Sequence, residues 1–250
     1  MTKFNQLLNT KFSVINVFSI LLFALLPISI LIGNAAINFN ILLIDFLFLV
    51  YCFKHKNWSW LKSQTFSHLS IIYLFLISNS IYSYFFLVEN EVEGLYRSVL
   101  FIKFLLLVFA FSSLLKDDKI IDTVIKFWLI ISVVVIFDIF YEKYFGKNIL
   151  GYVSPNGFRI ISFFKDEMVV GGYILCFGFT SITFFLNKNS NRSNLIIYLI
   201  IFLLVPIAVF TTGERSNFIK SFFLFLIILF FLKEKKLNFK IKYLFITFVI

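Results

Sequence analysis

Eight apolar runs follow one another along this chain of 250 residues, most of them long enough to cross the hydrocarbon of a bilayer, which takes about 20 residues of helix. They lie at about Phe12–Ile32, Ile37–Phe53, Ser67–Val88, Ser98–Leu115, Phe127–Phe145, Met168–Leu186, Leu195–Phe210 and Phe218–Leu232. In lipid every backbone N–H and C=O must find its partner inside its own segment, so runs of this length form helices. The expected fold is all-α: a polytopic transmembrane bundle of about eight full spans in a single transmembrane domain covering residues 1–250. A ninth apolar run, Ile241–Ile250, is about half a span, which predicts that the domain is the N-terminal part of a longer one. The first run could be taken for a signal peptide with Gly33-Asn34-Ala35 as its cleavage site. Its apolar core is too long for that and a second span follows at once, so it reads as an uncleaved span.

Hydrophobic residues make up 60% of the chain, charged residues 14%, and the mean hydropathy is +0.96, outside the range of a water-soluble domain of this size. The net charge of +10 raises nucleic acid as a partner, but no soluble module of interleaved basic and aromatic residues is present to bind it. Lysines anchoring loops at one membrane face account for the charge. Cys52 and Cys176 have no CxxC spacing and read as small core residues. His55 and His68 flank a basic loop, and no His, Cys or carboxylate group has metal-ligand spacing, so no metal is expected.

With the N-terminus on the cytoplasmic side, fifteen of the 23 basic residues fall in inner segments. The outer side then holds the acidic stretch around Glu89, Glu91 and Glu93, the long loop 146–167, and the turn Thr211–Asn217. Arginine breaks the pattern. Of only four, Arg97, Arg159 and Arg215 are outside and Arg192 is inside, whereas fourteen of nineteen lysines are inside. The guanidinium fork binds phosphate oxygens in pairs, which lysine cannot do. The three outer arginines are expected at or just before the outer ends of inward-running spans, where helix N-termini attract anions. Lys220 and Lys103 lie a turn or more deeper on two of the same spans. A plainer role is helix-end anchoring, as in a Glu93–Arg97 pair at i, i+4.

Two polar stretches lead directly into apolar spans. One is Thr211–Asn217; the other is 157–167, which carries Arg159, with Asp166 as a candidate cap for the span that follows. The loop 146–167 has too many apolar residues for a solvated linker and is expected to fold against the bundle. Asp45 and Asp138, both inside apolar runs, are expected to bond neighbouring helices, because neither has a partner close in sequence. At the head of the last full span Ser216, Asn217, Lys220 and Ser221 form one helical stripe that must face the bundle or a wet cavity.

The run Phe158-Arg159-Ile160-Ile161-Ser162-Phe163-Phe164-Lys165-Asp166-Glu167 resembles the arginine-bearing "F-x-(D/N/E)" entry to a middle span in the O-antigen ligase and O-antigen polymerase superfamily. Thr212-Gly213-Glu214-Arg215-Ser216 is similar to that superfamily's "T-G-S-R-G" turn, with Glu214 in place of its serine and Ser216 in place of its last glycine. The resemblance rests on these two motifs and on hydropathy. It implies a bacterial inner-membrane, multi-pass glycosyltransferase of O-antigen or lipopolysaccharide biosynthesis that needs no cofactor. Its donor would be a polyprenyl-diphosphate-linked glycan on the periplasmic side, and its acceptor lipid A-core or another glycan. Arg159 and Arg215 match motif positions as diphosphate contacts; Arg97 and Lys220 join them on placement alone. No residue of the chain matches the superfamily's outer histidine, so no catalytic base is assigned. A lipid-linked saccharide transporter or flippase, and an inactive truncated fragment, are the alternatives.

Overall fold

The computed structural model describes residues 14–87, 92–155, 157, 159–165, 169–188 and 192–232. The readings made for Glu89, Glu91, Phe158, Asp166, Glu167 and the partial ninth span lie outside these residues. Nine helices are described: α1 (Val14–Ile32), α2 (Asn34–His55), α3 (Gln64–Tyr82), α4 (Val92–Leu100), α5 (Ile102–Leu114), α6 (Asp118–Phe145), α7 (Val170–Lys188), α8 (Arg192–Thr211) and α9 (Arg215–Leu232). No strand occurs among the described residues. Six helical stretches are long and apolar enough to cross a membrane: Ile15–Ile32, Asn34–His55, Gln64–Phe86, Val92–Leu114, Asp118–Phe145 and Val170–Lys188; Ile196–Thr211 is apolar but shorter. Together they are consistent with a multi-pass membrane protein.

The chain divides into two compact units, residues 1–124 and 125–250, with the boundary inside α6. In the first unit α1 packs on α2, and α2 on α5. The buried face of α2 is the stripe Ile41, Ile44, Asp45, Phe48 and Cys52, with Asn40 one step off it. Asn40 ties the α1–α2 hairpin, its Nδ2 donating to the Leu22 carbonyl and to Ser29 Oγ, both at 3.2 Å. A short 3₁₀ turn, Ser59–Lys62, puts the Trp60 ring 5.0 Å from Phe109, 5.4 Å from Phe66 and 5.5 Å from Phe48. Ser63 caps α3 by accepting from the Phe66 N–H at 3.1 Å. None of the described side chains of α3 is buried, and Ile71, Leu74 and Phe75 are among those it exposes, the surface a helix offers to lipid.

Two helix starts differ from expectation. α6 begins at Asp118, well before Phe127. Asp117 caps it, Oδ1 accepting from the Lys119 N–H at 2.9 Å, and Ile120, Val124 and Ile125 are buried while Asp118, Lys119 and Lys126 face outward. The early turns of α6 are amphipathic, and a reading by apolar runs takes such turns for loop. α4 begins at Val92, ahead of Ser98, and the span it opens, Val92–Leu114, carries Arg97 in its second turn.

The second unit buries Ile139, Ile161, Ile174, Ile182, Leu186, Phe202 and Val205. α7 contains a π-helical segment, Ile174–Phe179, between two α-helical pieces. α8 packs on α7 and α9, where the rings of Phe202 and Phe225 stack at 4.8 Å. The loop after α6 returns along this unit to the head of α7.

Candidate functional site

The site grows from the break between α8 and α9. Thr211 and Thr212 close α8 by donating their hydroxyls to the Ala208 and Val209 carbonyls, each at 2.7 Å. Gly213 then takes φ +79, a left-handed conformation that a residue with a Cβ adopts only at a cost. The chain reverses, and the Glu214 carbonyl accepts from the Phe218 N–H at 2.9 Å to open α9. Arg215 is the first residue of that helix.

Glu214, which stands where the superfamily motif has serine, is buried. Its Oε1 accepts from the Gly171 N–H at 2.7 Å and its Oε2 from the Asn217 side-chain amide. The carboxylate therefore latches the turn onto the first turn of α7. The fit leaves no room at Gly171, where a Cβ would stand 2.9 Å from Glu214 Oε2 and 3.2 Å from Asn217 Cβ. With both oxygens accepting from N–H donors, the charge of Glu214 is met without an arginine.

The loop bearing Arg159 is held as firmly. Ile160 donates its N–H to the Thr212 carbonyl at 3.2 Å, joining the loop to the turn that carries Arg215. Ile161 and Ser162 donate theirs to Glu142 Oε1 and Oε2 at 3.1 and 2.6 Å. Ser162 Oγ donates to Asp138 Oδ2 at 2.5 Å, and the Ile149 N–H to Asp138 Oδ1 at 2.8 Å. Asn148 adds a bond from its Nδ2 to the Ser162 carbonyl at 2.5 Å. Ile160, Ile161 and Phe164 are buried under the loop, while Ile149, Leu150 and Val153 stay exposed. The segment is thus packed against the unit, as its apolar content predicts. Asp138 bonds this loop and not a neighbouring helix, a correction to the expectation from sequence: its partners lie just beyond the end of its own helix.

These two anchored pieces border an open cavity of about 900 Å³ lined by Arg159, Arg215, Ser216, Asn217, Gly213, Glu214 and the rings of Phe210 and Phe218. A second cavity of about 650 Å³ shares Asn217 and Ile219 with the first and continues along α9, lined by Lys220, Cys176, Leu175, Phe223, Leu224 and Ile227. The pair forms one groove, with two guanidinium groups and a helix N-terminus at its head and mostly apolar walls beyond. Such a head favours an anion. Such walls favour a chain of hydrocarbon.

No family model, curated protein or solved structure matches this chain.

Of the four residues assigned to a diphosphate, Arg159 and Arg215 line one cavity and Lys220 the adjoining one. Arg97 belongs to the first unit, where its exposed side chain pairs with Glu93 at 2.5 Å. Only Arg215 opens a helix; Arg159 sits in the loop ahead of α7. The stripe Ser216, Asn217, Lys220 and Ser221 divides between cavity and core, the first three lining the groove and Ser221 fully buried. Cys176 is exposed on the groove and is not a core residue, because the face of α7 it occupies is left uncovered. Among the described residues no group of three or more His, Cys, Asp or Glu stands close enough to hold a metal ion. Glu142, Asn148 and Gly171 escaped the sequence reading. Glu142 could have been found, since it lies four residues after Asp138 on the same helix face.

Proposed function

We propose that the groove at the head of α9 binds the diphosphate and lipid chain of a polyprenyl-diphosphate-linked saccharide. The protein would transfer or polymerise that saccharide on the periplasmic side of the bacterial inner membrane, as an O-antigen ligase- or polymerase-type glycosyltransferase. The observation that carries the reading is the meeting of Arg159 and Arg215, one from each resembling motif, on a single cavity that runs on into an apolar groove. In this reading the chain crosses the membrane eight times from a cytoplasmic N-terminus.

The chemistry asked of the site is modest. An acceptor hydroxyl, on lipid A-core or a glycan, attacks the anomeric carbon of the donor sugar. The bond from that carbon to the diphosphate oxygen breaks, and the lipid diphosphate leaves with its electron pair. Arg159 and Arg215 would hold the oxygens on which that charge grows. Lys220, further along the groove, would add a point charge. The acceptor's proton passes to solvent, so the products are the new glycosidic bond, the free lipid diphosphate and one proton.

Cys176 gives a native handle for the test, since Cys52 is buried and out of reach. The full chain in nanodiscs is treated with a thiol-alkylating reagent in the presence of a long-chain polyprenyl diphosphate. The lipid should protect Cys176, and inorganic diphosphate should protect it far less. Arg159→Lys and Arg215→Lys keep the charge but lose the fork, so each should weaken protection by about one to two orders of magnitude in lipid concentration. Arg192→Lys should bind as the unaltered protein does. Equal binding by all three variants would reduce the arginines to helix-end anchors. Supplying a lipid-linked saccharide with acceptor then separates the enzyme from a flippase: transfer gives a new covalent product, whereas translocation moves the donor intact.

A further inference from the structure

We infer that Glu142 and Asp138 are positioning residues for Arg159, fixing the guanidinium at the head of the groove through the loop that carries it. The inference rests on the diphosphate reading of that site. The two carboxylates sit one turn apart on the same face of α6, and both are buried. All four of their oxygens are occupied by donors of the loop: Glu142 takes the Ile161 and Ser162 N–H groups, and Asp138 takes the Ser162 hydroxyl and the Ile149 N–H. Neither lines the cavity, which argues against contact with a ligand or a reacting atom. What they hold is a backbone that would not hold itself. Ser162 has φ +49, a left-handed conformation unfavourable for a residue with a Cβ, and its N–H, hydroxyl and carbonyl are each bonded, to Glu142, Asp138 and Asn148. Arg159 stands three residues earlier, and the intervening Ile160 is bonded to the Thr212 carbonyl of the other arginine's turn. The segment from Ile160 to Ser162 is thus fixed at both ends. Releasing it from α6 lets the backbone under Arg159 shift, and a bidentate contact is lost to small displacements.

This role predicts the opposite sign from electrostatics. Removing a buried negative charge near an anion site should by itself tighten anion binding. Removing a positioning group should weaken it. The test measures binding of a long-chain polyprenyl diphosphate to the full chain in nanodiscs, for Glu142→Ala, Arg159→Lys and the double variant. Glu142→Ala should weaken binding about tenfold in the unaltered background and by less than about twofold when Arg159 is already Lys, because the loss runs through that arginine. Hydrogen exchange over 159–165 should rise in Glu142→Ala. Glu142→Gln keeps one acceptor for two N–H groups, so it should fall between, at about threefold; should the Ala variant not fold, this variant and its exchange carry the test. Unchanged or tighter binding overturns the inference, as does an equal loss in both backgrounds, which would mark a general effect on the fold. If Arg159→Lys itself binds normally, the diphosphate reading falls and this inference with it; a failed cycle beside a weakened Arg159→Lys removes the inference alone.

Discussion

Asp45 in the first unit and Asp138 in the second are both carboxylates buried inside apolar helices, and they are treated in opposite ways. Each oxygen of Asp138 accepts a hydrogen bond from the following loop. Neither oxygen of Asp45 has a hydrogen-bond partner among the described residues. The same contrast runs through the arginines. Arg97 makes an exposed pair with Glu93 on one helix, an arrangement worth about 0–1 kcal/mol. Arg159 and Arg215 ride on backbone that buried carboxylates hold in place. In the second unit, polar groups are spent on fixing the geometry of irregular chain beside a cavity. In the first, Asn40 and Lys103 join regular helices to one another, and the Asp45 carboxylate holds no irregular chain. Irregular backbone inside a membrane protein needs such partners, since lipid offers none.

The largest way to break this contrast is Asp138→Leu. It removes the acceptor for the buried Ser162 hydroxyl and for the half-buried Ile149 N–H, leaving both donors unmet. The expected loss is about 2–5 kcal/mol, on the scale of unpaired buried donors. It should appear as protease cleavage and raised hydrogen exchange within 146–165, with α1 and α2 unaffected. Protection equal to that of the unaltered chain would show that the loop is held by Ile160, Ile161 and Phe164 alone. A smaller effect is expected from Gly171→Ala. The added Cβ meets the Glu214 carboxylate at 2.9 Å, so the latch must shift, at about 1–3 kcal/mol. The consequence to measure is weaker protection of Cys176 by polyprenyl diphosphate, because the turn carrying Arg215 moves with Glu214. A variant with unchanged protection would uncouple the latch from the groove.

The helices were legible because long apolar runs leave the backbone no other option. Their starts were less so: Asp117–Lys126 has charges on one face and Ile120, Val124 and Ile125 on the other, a periodicity that an average over the run erases. The break at Thr211–Asn217 and the loop before α7 stood out as polar gaps, and both border the cavity. The frame around them did not stand out. Gly171 looks like any small residue in an apolar helix until Glu214 is placed against it. Glu142 sits at the end of a span, where a carboxylate normally reaches water. The left-handed φ of Ser162 has no signature in sequence, since glycine or asparagine would be the usual choice there. Long-range bonds between short motifs are what hydropathy and spacing leave out.

The smallest predicted effect belongs to Asp45. Its neighbours on the buried stripe of α2 are Ile41, Ile44, Phe48 and Cys52, and the Asn40 side chain leaves its own Oδ1 without a hydrogen-bond partner among the described residues. Lys103, on α5, donates to Asn38 Oδ1 at 2.5 Å and not to the carboxylate. A buried polar group without a partner opposes folding, and an apolar side chain of similar volume removes that opposition. Asp45→Leu should therefore stabilise the first unit by about 1 kcal/mol, read as slower thermal loss of the α1–α2 hairpin's exchange protection in nanodiscs. The lipid's protection of Cys176, in the second unit, should be unchanged. The sign is what sharpens the comparison. A loss of stability would mean that Asp45 has a partner in the membrane after all, a proton or a cation exchanged with Lys103 nearby, and that the first unit too uses its buried charge. A gain would leave the second unit as the part of the molecule in which buried carboxylates hold structure in place.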